Sequence, residues 1–258
     1  MDYWQKFTKN PHENLLWNLP EQKQGSVCLF GGNDKSFNNE IRFAEKILGT
    51  SPLKELKIVL PETLKNKLPP MDNFLFLKAT DSGSLDASAE LTAAANMSDF
   101  NLLFGDFSKN SITSRAVSGA CVSAEKPLLI TRDAVDLIAE SNPEKILEKE
   151  SVIILASMAQ LQKLLHAALY PKMILLSMPL MQIVEILHKF TLSYPLTVVT
   201  FHGGNIIVAK DGIVNSVSLE QTSYSPLTLW TGDLAAKIVL LNLYNPNNYL
   251  AATTAALF

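Results

Sequence analysis

The sequence is poor in cysteine, in clustered positive charge and in long apolar runs. Cys28 and Cys121 are its only cysteines. Neither belongs to a CxxC pair or a Cys/His spacing, which argues against a zinc site. Both lie in apolar stretches and read as reduced core thiols of a cytoplasmic protein. Basic residues number 22 against 25 acidic ones, a formal net charge of -3. They are scattered and never alternate with aromatics, so nucleic acid is not an expected partner. The most apolar stretch, MILLSMPLMQIVEIL (173–187), is broken by Pro179 and Glu185. It is too short and interrupted to cross a bilayer, so no membrane partner is expected, and it reads as a strand followed by a helix. MDYWQKFTKNPHENLL lacks the basic and apolar regions of a signal peptide. Walker, GxSxG and HExxH motifs are missing, GGND is not a GxGxxG fingerprint, and no protein metal site is expected.

What is present is core-forming material. Hydrophobic residues make up 47% of 258 and charged residues 18%. That composition supports a large buried core, and no segment reads as a linker, so residues 1–258 are taken as one domain.

Short apolar runs alternate with helical spacing. After an irregular start, GSVCLFGGN (25–33) reads as a buried strand entering a Gly-Gly turn, and NNEIRFAEKIL as a helix. ELKIVLP is the next strand, ETLKNKL a short polar helix, NFLFLKA a strand and SLDASAELTAAANM an Ala-rich helix. DFNLLFGDF, KPLLIT and ESVIILAS are strands, followed in turn by ITSRAVSGACVSA, DAVDLIAE and MAQLQKLLHAAL as helices. Then comes the helix MQIVEILHKFTL. LTVVTF, NIIVAKDG and the residues beyond it read as strands joined by Gly203-Gly204 and by the hairpin signal Asp211-Gly212. TGDLAAKIVLLNL and NNYLAATTAALF close the chain as helices. The last is read either as core or as a subunit face, which leaves a homo-oligomer open.

This alternation predicts an α/β fold: a mostly parallel sheet with helices on both faces and an antiparallel hairpin at one edge. In such a sheet ligands bind at the carboxyl ends of the strands. The loops selected are Gly31-Gly32-Asn33, Gly105-Asp106, Thr131 to Asp133, Ala156-Ser157, His202 to Gly204 and Leu229 to Asp233.

Each candidate has a structural and a functional reading. Asp233 is either the cap of an apolar helix or a carboxylate that takes a proton beside an anion-binding helix terminus. Gly31-Gly32 are a tight turn or a point of close backbone approach to substrate, with Asn33 and Asp34 beside them. Asp133 caps DAVDLIAE or faces a pocket. His202 is structural or contacts phosphate. His12, His166 and His188 carry no functional signal.

The loops together resemble the ribokinase-like superfamily, and within it the nucleotide-dependent NAD(P)H-hydrate dehydratases. CLFGGN resembles that family's strand ending in GG. ITRDAVDLI resembles its DADAL segment, with Thr131 for the first Asp and Asp136 for an Asn. LASMAQLQKLL stands at its HPGE loop, with Ser157 and Gln160 for His and Glu. VVTFHGGNIIVAKDG resembles its KG-to-hairpin segment, with His202 for Lys. LWTGDLAAKIV resembles its GSGD turn, with Trp230 and Thr231 for Gly and Ser.

The resemblance implies a ribokinase-like three-layer α/β/α sandwich. It further implies dehydration of hydrated NAD(P)H driven by ADP or ATP with Mg²⁺. Asp233 would be the base. Thr231, Gly232, His202 and Gly203 would bind the phosphates. Gly31, Gly32, Asn33 and Asp133 would line the substrate side. The same loops would serve a kinase acting on a vitamin- or sugar-like alcohol. The replaced motif residues equally suit a non-catalytic binding member. The indole of Trp230 is the feature expected to decide whether the phosphate corner is open or filled.

Overall fold

The computed structural model describes residues 2–86, 88–141, 143–227 and 231–258. Ten described strands form one sheet, in the order β1-β10-β9-β8-β7-β6-β5-β2-β3-β4. These are β1 (Trp4–Phe7), β2 (Gln24–Gly31), β3 (Leu53–Pro61), β4 (Phe74–Leu77), β5 (Phe100–Gly105), β6 (Leu128–Thr131), β7 (Val152–Ala156), β8 (Thr197–His202), β9 (Asn205–Lys210) and β10 (Ile213–Ser218). Strands β4 to β8 and β2 and β3 run parallel, and the pairs β8–β9 and β9–β10 are antiparallel.

The apolar runs form strands because both faces are covered. Along β2, Cys28 and Phe30 enter one core and Val27 and Leu29 the other. Along β7, Val152 and Ile154 face the first core and Ile153 and Leu155 the second. This period-two split, with neither face polar, marks a strand buried on both sides. The first core is covered by α2 (Ser88–Met97), α3 (Ser111–Ser123), α4 (Asp133–Ala139), α6 (Met158–Ala167) and α7 (Leu180–Ser193), with the short α5 (Glu144–Leu147) between them. The second is covered by α1 (Asn38–Thr50), α8 (Asp233–Tyr244) and α9 (Tyr249–Ala255). The result is the expected three-layer α/β/α sandwich.

Both late hairpins close as two-residue turns. Gly203 and Gly204 have φ of 54° and 71°, and Asp211 and Gly212 have φ of 50° and 76°. Two successive positive φ values match the twist of the flanking strands.

Three expectations are revised. The start of the chain is not irregular throughout: β1 pairs in parallel with β10 and covers the edge expected to be antiparallel. Trp4 Nε1 donates to Ser216 Oγ at 2.9 Å, and Tyr3 stacks on His188. Residues 173–187 contain no strand. Ile174 is buried but Met173, Leu175 and Leu176 are exposed, and helix α7 begins only after Pro179. ETLKNKL makes a single 3-10 turn, Glu62–Leu64.

The terminal AATTAALF is core. Ala252, Ala255, Ala256 and Leu257 are fully enclosed beside Leu234 and Ile238 of α8.

From β2 the chain builds outward through β3 to β4, then returns to β5 on the other side of β2 and proceeds the opposite way. The β2/β5 seam is therefore the switch point, where an open α/β sheet has its crevice.

Candidate functional site

The switch point is occupied by the protein's own polar groups. Gly31 pairs with Gly105 across a bulge, and the Gly32 N–H donates to the Gly105 carbonyl at 2.9 Å. Asp133 Oδ1 accepts from the Asp106 N–H at 2.6 Å. The Asp106 carboxylate accepts from Arg132 Nη2 at 2.7 Å and from Asn39 Nδ2 at 2.8 Å. Asn33 Nδ2 donates to the Asp106 carbonyl at 2.5 Å. The Arg132 guanidinium, only 5% exposed, lies 4.5 Å from the centre of the Phe104 ring. Asp106 and Arg132 hold φ values of 56° and 55°, a backbone conformation that persists in a non-glycine residue only when its surroundings over-determine it.

Glu40, from the first turn of α1, completes the cluster. It is wholly buried, and neither carboxyl oxygen has a hydrogen-bond partner within 3.5 Å among the described residues. Its Oε1 would lie 2.9 Å from a Cβ built on Gly31. Burial, and then the Asp106 charge, push its pKa up to about 9. Glu40 is thus a neutral acid at pH 7. Burial also raises Asp133 to about 6, against the pull of the Asp106 N–H. Asp133 does not cap α4. The cap position is Arg132, and the Asp133 carboxylate bridges two loops. Gly31 and Gly32 are buried, their missing side chains leaving room for Glu40, Leu60 and Phe37.

Beside this cluster stands the start of α8. Gly232 is the N-cap, at φ 81°, and a Cβ there would come within 2.6 Å of both Phe43 and Phe104. These two rings stack at 4.6 Å. Gly232 is therefore fixed by packing and by backbone conformation together. Asp233 is the first helical residue rather than the cap. Its carboxylate pairs with Lys46 of α1 and accepts from Thr231 Oγ1 at 3.1 Å. The first amides of α8 point out of the helix start, as in any helix. Trp230 lies outside the described residues.

Two clefts flank this start. One, of about 370 Å³, lies between α1 and α8 and includes Phe43, Lys46, Tyr224, Asp233 and Lys237. The other, of about 810 Å³, lies at the carboxyl ends of β7 and β8, between Leu176, Met178, Leu180, Phe201, His202 and Leu227. The Leu227 carbonyl accepts from the Thr231 N–H at 3.4 Å, which ties the second cleft to the head of α8. His202 projects into this region, but its Nε2–H donates to the Met178 carbonyl at 2.7 Å, leaving Nδ1 for any ligand. Gly203 sits in the hairpin turn with open space where a Cβ would go.

Ser157 and Gln160 form a capping box at the start of α6. Gln160 Nε2 also donates to the Arg132 carbonyl at 2.6 Å and to Asp136 Oδ2 at 2.9 Å. These residues are structural braces of the switch point.

The structure thus brings Thr231, Gly232 and Asp233 together, and separately Gly31, Gly32, Asn33 and Asp133. His202 and Gly203 line the larger cleft. Sequence reasoning did not single out Glu40, Asn39, Arg132, Lys46 or Lys237. The available signal was a charged residue, Glu40, in helical register with Phe43, Ala44 and Ile47 on the apolar face of NNEIRFAEKIL.

Among the described residues no group of three or more His, Cys, Asp or Glu is placed to hold a metal ion. Asp233 is a single carboxylate already paired with a lysine. The described residues therefore present no ready-made Mg²⁺ cage.

No protein-family model matches the sequence, and no curated protein does. Solved structures match across the chain. A ribokinase-like superfamily protein of Enterococcus faecalis V583 superposes with a TM-score of 0.66 at 14% identity, over 98% of this chain and 85% of that one. The UPF0031-family protein YxkO of Bacillus subtilis gives 0.61 at 13%, over 95% and 84%. Pyridoxal kinase of Bacillus subtilis, solved as an ADP complex, gives 0.54 at 10%, over 91% and 89%. At these identities the likeness is one of fold. The fold is ribokinase-like, and kinases are among the proteins that share it.

Proposed function

We propose that this protein binds ADP or ATP in the cleft at the ends of β7 and β8 and transfers a phosphoryl group to the hydroxyl of a small molecule. The observation that carries the reading is the junction of that cleft with the head of α8. An apolar cleft of about 810 Å³ has room for a nucleotide base and sugar. The amides at Thr231 to Asp233 would receive the phosphates, because a helix start favours negative charge. His202 Nδ1 and the Gly203 backbone would contact the same phosphates. Asp233 would accept the proton of the attacking hydroxyl, and the transfer itself would depend on positioning and electrostatics.

Within this reading, resemblance names hydrated NAD(P)H as substrate, with the phosphorylated hydroxyl then departing as phosphate. A stable phosphorylated product would instead mark a kinase. The two share every residue named above.

A second reading, a non-catalytic nucleotide-binding protein, is favoured by the switch point. Glu40, Asp106 and Arg132 fill the crevice that a substrate would enter, and Lys46 engages the proposed base.

Thermal melts with ADP, ATP and AMP, with and without Mg²⁺, test nucleotide binding, since a ligand of the folded state raises the melting temperature by mass action. Turnover assays on hydrated NADH and on a panel of small alcohols then separate the catalytic readings from the silent one. A melting temperature indifferent to every nucleotide removes the proposal.

A further inference from the structure

The cleft between α1 and α8 is separate from the larger cleft, and its chemistry is different. Asp233 and Lys237 stand four residues apart on α8 and so share one face of the helix. Lys46 reaches over from α1 to Asp233. Phe43 and Tyr224 contribute apolar walls. The cleft therefore holds two ammonium groups and one carboxylate, and the carboxylate is taken by Lys46.

Lys237 is left over. It is half-buried, yet it makes no hydrogen bond or ion pair with any described residue. Partial burial lowers its pKa, and the neighbouring Asp233 carboxylate, already paired with Lys46, does not offset that loss of water. A partly desolvated cation without a counter-charge is costly to keep. It makes physical sense where an anion from outside supplies the counter-charge.

Resting on the assignment of Asp233 as base, we propose that this cleft is the acceptor site, and that it takes a small alcohol bearing a phosphate or carboxylate group. The anionic group sits against Lys237, with the hydroxyl beside Asp233 at the head of the helix. The hydroxyl oxygen bonds to the terminal phosphorus of the nucleotide. The bridging P–O bond breaks, its electron pair leaves with the shortened nucleotide, and the hydroxyl proton passes to Asp233. At about 370 Å³ the cleft matches roughly a dozen water-sized groups, at about 30 Å³ each. A phosphorylated triol fits that space.

Calorimetric titration of the full chain tests the assignment, with inorganic phosphate, glycerol 3-phosphate and uncharged glycerol as probes. Both anions are expected to bind and glycerol is not. Lys237→Met should weaken the anions by roughly tenfold or more, the loss of one charged hydrogen bond. Lys237→Arg should keep most of the affinity. The ADP-induced rise in melting temperature should be the same in all three proteins. Anion binding that is unchanged in Lys237→Met overturns the proposal, and so does a wild-type chain that ignores both anions at about 10 mM, too weak for a working site. If Lys237→Met also erases the ADP effect, the cleft serves the nucleotide and the acceptor assignment falls, while nucleotide binding stands. If the anions bind through Lys237 but no nucleotide binds, the anion site survives and the phosphoryl-transfer reading fails.

Discussion

The carboxylate of Asp133 occupies the space that a side chain on Gly105 would need: its Oδ1 lies 2.1 Å from the position of a Cβ there. Gly105 also holds φ at 108°. The absence of a side chain at the end of β5 is thus what allows the carboxylate to reach across and hold the Asp106 N–H. Gly105→Ala should cost about 2–3 kcal/mol by urea denaturation, from backbone strain and collision together. In an Asp133→Ala background the collision is gone, and the same change should cost measurably less. Equal costs in both backgrounds would show that the two residues do not interact.

Glu40 makes stability fall as pH rises. The folded state holds its proton up to about pH 9, whereas the unfolded chain releases it near the ordinary glutamate value of 4.5. Between those limits the folded state binds more protons, so its stability declines, by at most ~1.4 kcal/mol per pH unit. Below the lower limit both states are protonated and the full stability is present. Asp133 acts with the same sign over a lower window, from 3.8 to about 6. Glu40→Gln should flatten the decline between pH 6.5 and 9 while leaving the Asp133 contribution in place. Urea titrations of both proteins across that range give the comparison; parallel slopes would mean that Glu40 is ionised in the folded state.

Asp233→Asn removes the proposed proton acceptor while preserving size. Phosphoryl transfer should drop by about 10²-fold to 10⁴-fold, the usual contribution of a positioned base. The lost pair with Lys46 is partly exposed and should cost no more than about 1 kcal/mol. Turnover measured beside a melting curve separates the two effects. An active Asp233→Asn protein would place the base elsewhere.

The larger cleft can be blocked without touching a charge. Ala159 lines it on the exposed face of α6. Ala159→Trp should leave the melting temperature of the nucleotide-free protein nearly unchanged and abolish the rise on adding ADP. That rise, at a hundredfold excess over Kd, corresponds to about 2.7 kcal/mol in the wild type. An ADP response that persists in Ala159→Trp would move the nucleotide out of this cleft.

The layers of the fold were readable because each strand is a short apolar run with turn residues at its ends. VIILA and LLFG can be buried on both faces only between helices. The hairpins were readable from Gly203-Gly204 and Asp211-Gly212, because these residues tolerate positive φ. β1 was not: WQKF carries two exposed polar residues and is fixed by a partner some 210 positions away. The apparent strand before Pro179 failed for the opposite reason. Its side chains are apolar, but Ile174 alone is fully buried and Met173, Leu175 and Leu176 stay exposed. At the candidate site, the sequence pointed to the Gly-Asp pair and the glycines. It could not show that Glu40, Arg132 and Asp106 converge, because they come from the start of α1 and the ends of β5 and β6, which only the sheet order brings together. Nor could it show that Lys237 has no hydrogen-bond or ion-pair partner among the described residues, since that depends on what packs opposite the helix.

The sheet ends on both sides in a strand of only four residues, β1 at one edge and β4 at the other. Each leaves a short ledge of unpaired backbone rather than a full-length template. A ten-strand sheet with such abrupt margins gives a neighbouring chain little to zip onto, which limits its growth into fibrils.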